Sequence, residues 1–151
     1  MAVFALAGDR AVAVPVDTVI ETMRPLPVEP LAGLPPWVEG VALIRGRPTP
    51  VLNVAALLGE SGQASLGAFV TVRAERCALA LAVRRVTGVG SLEPGEWQAL
   101  PSIAAGVTEA VEAVGVLGAR LTTVLSASRL IPDEAMARIE AELGRHGRPG
   151  R

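Results

Sequence analysis

Glu39-Gly40-Val41-Ala42-Leu43-Ile44-Arg45-Gly46-Arg47-Pro48-Thr49-Pro50-Val51-Leu52-Asn53-Val54 is the stretch on which the reading of this chain turns. One apolar run ends at Arg45-Gly46 and another starts at Thr49-Pro50-Val51, the pattern of two strands joined by a tight bend. Gly46 can take the positive φ that such a bend asks for. Arg45 stands at the mouth of the bend, with a planar cation to project.

The same grammar recurs on both sides. Apolar runs rich in Val, Leu, Ile and Ala are short and bounded by Gly, Pro or charged pairs, which predicts strands. They are expected over Val3–Ala7, Ala11–Val16, Val41–Ile44, Thr49–Asn53, Ala68–Val72, Ala78–Val83, Val86–Leu92, Ala113–Leu117 and Leu121–Leu125. Gly8-Asp9-Arg10, Ala74-Glu75-Arg76 and Gly118-Ala119-Arg120 read as hairpin turns. Val16–Met23 reads as a short turn of helix ended by Arg24-Pro25, and Val54–Leu58, stopped by Gly59, as another. The strongest helix signal is Pro132–Leu143, with Pro132 at the first position and Asp133 and Glu134 at the positive end of the dipole. Met136, Ile139 and Leu143 form its apolar stripe, and residues 145–151 are expected to be a flexible tail. Five prolines between Pro25 and Pro36 make that stretch an extended connector, and Glu93–Thr108 a second. Many short strands with tight turns predict a mainly β protein, a small barrel or sandwich.

Composition narrows the function. Half of the 151 residues are apolar and 19% are charged, which excludes a disordered chain. Aromatics make up 3% with no Tyr, so the core is aliphatic. A net charge of −1 with dispersed arginines gives no footprint for nucleic acid. The one cysteine, Cys77, permits no internal disulfide and suits a reducing compartment. No run reaches the ~18 apolar residues of a membrane span, and Met1–Gly8 lacks the basic start of a signal peptide. A cytoplasmic protein without direct membrane insertion is expected.

No catalytic constellation stands out. The lone histidine, His146, lies in the expected tail, where nothing holds a general base or metal ligand in place. Cys77 opens an apolar strand and reads as a structural thiol. The carboxylate pairs Glu93/Glu96 and Glu109/Glu112 read as solvated loop charge. No phosphate-binding loop is present, and Gly88-Val89-Gly90 lacks the third glycine of a dinucleotide site. The chain is therefore expected to have no catalytic residue, no metal and no cofactor, and to work by presenting a surface.

The opening segment resembles the central motif of the CheW family: a strand, Leu-Arg-Gly, then Pro-Val-hydrophobic-Asp-Leu and a closing Leu-Gly. Here it stands as Leu43-Ile44-Arg45-Gly46, Pro50-Val51-Leu52-Asn53-Val54 and Leu58-Gly59. Phe4–Gly8 resembles the family's opening strand, and Val14-Pro15-Val16-Asp17-Thr18-Val19-Ile20-Glu21 its second strand with the Val-x-Glu that follows. Pro27–Pro36 with Trp37–Val41, Leu79–Gly88, Leu100-Pro101, Val114–Leu117 and Leu125–Ile131 follow in order, over about 130 residues.

The resemblance implies two side-by-side five-stranded SH3-like barrels with a C-terminal helix over 132–143. They would form a single module over 1–144, with lobes near 12–67 and 68–131 sharing the N-terminal strand. It also implies a non-catalytic adaptor. Its partners would be the cytoplasmic tip of methyl-accepting chemoreceptors and the regulatory domain of a CheA-type histidine kinase, in receptor arrays. Val19, Glu21, Val38, Gly40, Leu43 and Arg45 fall on the receptor-binding positions. Three positions depart from the family pattern: Leu43 for Asn, Asn53 for Asp, and Arg84, followed by Arg85, for Asp. Reversed charge at an interface excludes an old partner as readily as it admits a new one. Asn53, Arg84 and Arg85 therefore keep open a divergent member that binds receptors but couples poorly to the kinase, in a motility pathway other than flagellar chemotaxis.

Overall fold

The computed structural model describes residues 1–60, 66–74, 77–91, 97–99, 111–117, 120–126 and 136–141. They form twelve strands in two sheets: β1 Ala2–Ala7, β2 Arg10–Pro15, β3 Val19–Met23, β4 Val28–Glu29, β5 Val38–Ile44, β6 Arg47–Asn53, β7 Ala68–Arg73, β8 Ala78–Val83, β9 Arg85–Gly90, β10 Trp97–Ala99, β11 Val111–Leu117 and β12 Arg120–Leu125. A 3-10 turn, Val16–Thr18, and a short helix α1, Val54–Leu57, interrupt them, and a second helix α2 covers 136–141. The protein is mainly β, as expected.

One sheet runs β10-β11-β12-β2-β1-β9 and the other β4-β5-β6-β8-β7-β3. Each has five longer strands and one short strand, β10 or β4, at an edge. The two are wired alike. A hairpin, β11–β12 or β5–β6, lies parallel to the second strand of another hairpin, β1–β2 or β7–β8. An edge strand, β9 or β3, closes each row with one bulge. The first half of the chain thus lends hairpin β1–β2 to strands of the second half, and receives β7–β8 in return.

This exchange corrects the expected lobe boundary at 67/68. β7 and β8 pair with β3 and β6, so residues 19–83 make one sheet and residues 2–15 with 85–125 the other. Leu79-Ala80-Leu81-Ala82 shows why. β8 is buried on both faces, which makes it a central strand rather than the first of a new lobe. Its Leu79, Leu81 and Val83 enter the larger core, while Ala80 and Ala82 pack with Phe69, Val51 and Ile44 in a smaller cluster.

The larger core joins the sheets. Val12, Val14 and Leu125 from one meet Leu52, Val70 and Leu81 from the other, together with Val54 and Leu57 of α1. Helix α2 adds Met136 and the fully buried Ile139. Burying a side chain of that size contributes ~1.5–3 kcal/mol. The β1–β2 hairpin also pairs with the segments beside it: Arg10 with Glu60, beyond α1, at 3.8 Å, and Asp9 with Arg84, between β8 and β9, at 3.6 Å.

Two further expectations change. Val16–Met23 is not helical beyond Thr18, because β3 pairs with β7 from Val19 onward. Inside the proline-rich connector, Val28 and Glu29 pair with Ala42 and Val41. Residues 145–151 and most of the second connector lie outside the described residues, as do parts of the expected 132–143 helix and of the turns near 75 and 118.

Candidate functional site

Ile44 and Arg47 close the β5–β6 hairpin, leaving Arg45 at φ 51° and Gly46 at φ 78° as a two-residue turn. Positive φ at both central positions matches the right-handed twist of the flanking strands. Arg45 is the one non-glycine at positive φ among the described residues. Its Cβ is crowded in that conformation, so the backbone there stores strain.

The bend aims the Arg45 side chain at β3. Its Nε donates to Glu21 Oε2 at 2.6 Å and its Nη2 to Glu21 Oε1 at 2.7 Å, a bidentate fork. Glu21 is itself held, since its backbone N–H donates to Thr71 Oγ1 at 3.1 Å and its carbonyl accepts from that hydroxyl at 3.2 Å. The hydrogen bonds from Arg45, and then its charge, hold the Glu21 carboxyl below the usual carboxylate range. The same bonds raise Arg45 above the ordinary guanidinium value. The pair faces water, with the Arg45 side chain 76% exposed and that of Glu21 25%.

Around the fork opens a cleft of ≈ 420 Å³ lined by Ile20, Ile44, Arg47, Thr71 and Cys77. Ile20 is 47% exposed, and Leu43, two residues before Arg45, is 65% exposed. Cys77 is half-buried; burial, and then the nearby Glu140 carboxylate, push its thiol up and keep it neutral.

Of the six positions the sequence offered, Glu21 and Arg45 are brought into contact and Leu43 is exposed. Val19 is half-buried and packs on the larger core. Val38 and Gly40 are both buried. The bulge between them turns Val38 into the larger core, and Gly40, at φ 141°, lies so close to the Glu29 carbonyl that no Cβ fits. They shape the hairpin from inside. Sequence reasoning missed Ile20, Arg47 and Thr71. Reading Val16–Met23 as helical hid Ile20, which β3 leaves exposed.

Two of the three departures from the family pattern are engaged within the chain. Asn53 accepts from the Ala56 amide at 3.2 Å through Oδ1, capping α1, and donates through Nδ2 to Glu39 Oε1 at 2.9 Å. Arg84 pairs with Asp9. Arg85 is exposed on the edge strand β9.

Among the described residues no cluster of His, Cys, Asp and Glu is arranged to hold a metal, and no helix is long and apolar enough to cross a membrane. The arrangement offers a rigid ion-pair fork, an added cation and apolar side chains at the rim of a cleft.

The crystal structure of the scaffolding protein TtCheW from Thermoanaerobacter tengcongensis has the same fold, with a TM-score of 0.75 at 18% identity over 89% of this chain and 92% of that one. No curated protein matches the chain. The family model for the CheW-like domain matches residues 1–135, which takes in both sheets and the fork between Glu21 and Arg45, and the chain belongs to the CheW-like domain family.

Proposed function

We propose that this protein is a non-catalytic adaptor of a chemosensory pathway, joining the cytoplasmic tip of methyl-accepting receptors to the regulatory domain of a CheA-type histidine kinase. Membership of the CheW-like family supports the class of function, and the neighbour's description as a scaffolding protein agrees with it. The exposed fork of Arg45 and Glu21, with Ile20 at the rim of the same cleft, carries the reading. An apolar stripe of a receptor helix can cover Ile20 and Leu43, while remaining donors of Arg45 reach its polar groups. The protein acts in the cytoplasm, within receptor arrays, and needs neither nucleic acid nor cofactor.

The charges that differ from the family pattern bear on the kinase side. Asn53 and Arg84 are satisfied by Glu39 and Asp9, which favours the plain adaptor over a member that has lost the kinase. Arg85, next to Arg84, is left on an exposed strand edge. Calorimetric titration against a receptor-tip fragment and against the kinase regulatory domain tests the reading. Binding to both, with affinities of about micromolar order, is expected. Binding to the receptor alone would make this a receptor-only member, with Arg85 the first residue to revert, and binding to neither would end the proposal.

A further inference from the structure

We infer that Arg47, rather than Arg45, is the residue that selects an acidic side chain on the receptor helix; this inference rests on the receptor-binding reading above. Arg45 is the obvious cation at the bend, yet its Nε and Nη2 are taken by the two oxygens of Glu21. A fork of that kind carries no net charge, and a second carboxylate approaching it meets Glu21 as well as the guanidinium. Arg47 is placed otherwise. It is exposed and lines the same cleft as Ile20 and Glu21; its carbonyl accepts from Thr49 Oγ1 at 3.1 Å, but its guanidinium makes no hydrogen bond or ion pair with any described residue.

With Glu21 and Arg45 cancelling, Arg47 gives the cleft a net positive charge among its described lining residues. Pairing across the hairpin with Ile44 fixes its backbone at the closing position of the turn, one residue beyond Gly46. The guanidinium is therefore tethered to a rigid hairpin but not spent on a partner. The occupant this chemistry fits is an amphipathic helix that lays an apolar side chain by Ile20 and presents a Glu or Asp to Arg47. Arg45 and Glu21 serve as the shaped wall beside it.

The test is calorimetry of the full chain against a receptor-tip fragment, comparing the wild type with Arg47→Glu, Arg47→Lys and Arg47→Gln at two salt concentrations. Arg47→Glu should weaken binding by roughly tenfold or more while the circular dichroism is unchanged. Arg47→Lys should retain most of the affinity, and the salt dependence should shrink in Arg47→Gln. Reversing the facing acidic residue of the receptor fragment to Lys should restore binding to Arg47→Glu. If the wild type binds and Arg47→Glu binds equally well, the inference falls and the receptor reading stands. If the wild type itself fails to bind, both fall together.

Discussion

Asn53 donates through Nδ2 to Glu39 Oε1 at 2.9 Å, a bond that the acid expected at this position in the family could not make at neutral pH. Asn53→Asp would keep the cap on Ala56 but set two carboxylates at hydrogen-bond distance. The expected cost is about 1–2 kcal/mol at pH 7. Urea titrations of the two proteins at pH 7 would show it.

Arg45→Gly separates stability from binding. Glycine adopts φ 51° without Cβ crowding, so relief of strain opposes the loss of an exposed ion pair. The melting temperature should change little while receptor affinity is lost. A drop in melting temperature together with retained affinity would show that the fork holds the hairpin and does not face the partner.

The fork also sets a pH dependence. Glu21 has a lowered carboxyl pKa in the folded protein, so its contribution is full above the ordinary carboxylate value and is lost as pH falls through the lowered one. Arg45 is raised, so its share is present at all lower pH and fails only in strong alkali. Thermal melts from pH 7 to pH 3 should therefore show an acid-side loss that Glu21→Gln, lacking the titrating group, does not show.

The described residues of helix α2, 136–141, belong to the fold although they lie beyond the family match. Ile139→Ala, at a side chain with no exposure, should cost about 2–5 kcal/mol in a urea titration. Cys77, shielded and kept neutral partly by Glu140 of that helix, should then react faster with a thiol reagent.

Gly40→Ala should destabilise the protein by about 2–4 kcal/mol, because the new Cβ meets the Glu29 carbonyl and the conformation at φ 141° is closed to alanine. Loss of receptor binding in that variant should follow the loss of β4–β5 pairing, seen as a lower melting temperature, and not the loss of a contact.

Much of this was legible in the sequence. All nine predicted strands form, since runs such as Ala68–Val72 and Ala78–Val83 are apolar, short and clearly bounded. Three strands escaped. β3 carries Glu21 and Thr22 on an edge, where one side is wet and alternation is weak. β4 spans two residues between prolines, and β10 spans three. Of the site, Arg45 and Glu21 could be named from the resemblance, but their fork could not. It joins residues 24 apart through a left-handed turn and a bulged edge strand, and neither leaves a periodic trace. Partitioning the chain into lobes failed for a related reason: local pattern reveals hairpins but not which distant strands receive them.

That reciprocal loan of hairpins makes each half of the polypeptide the other's missing piece. Were the backbone severed between Glu60 and Leu66, the N-terminal fragment would carry β3–β6 without the strands that separate β3 from β6, and the C-terminal one β9–β12 without those that separate β9 from β12. Neither could complete a sheet alone, and reassembly would restore both at once. The molecule is, in effect, a covalently joined pair of obligate complements, ready-made as a split reporter whose two parts gain structure only on meeting.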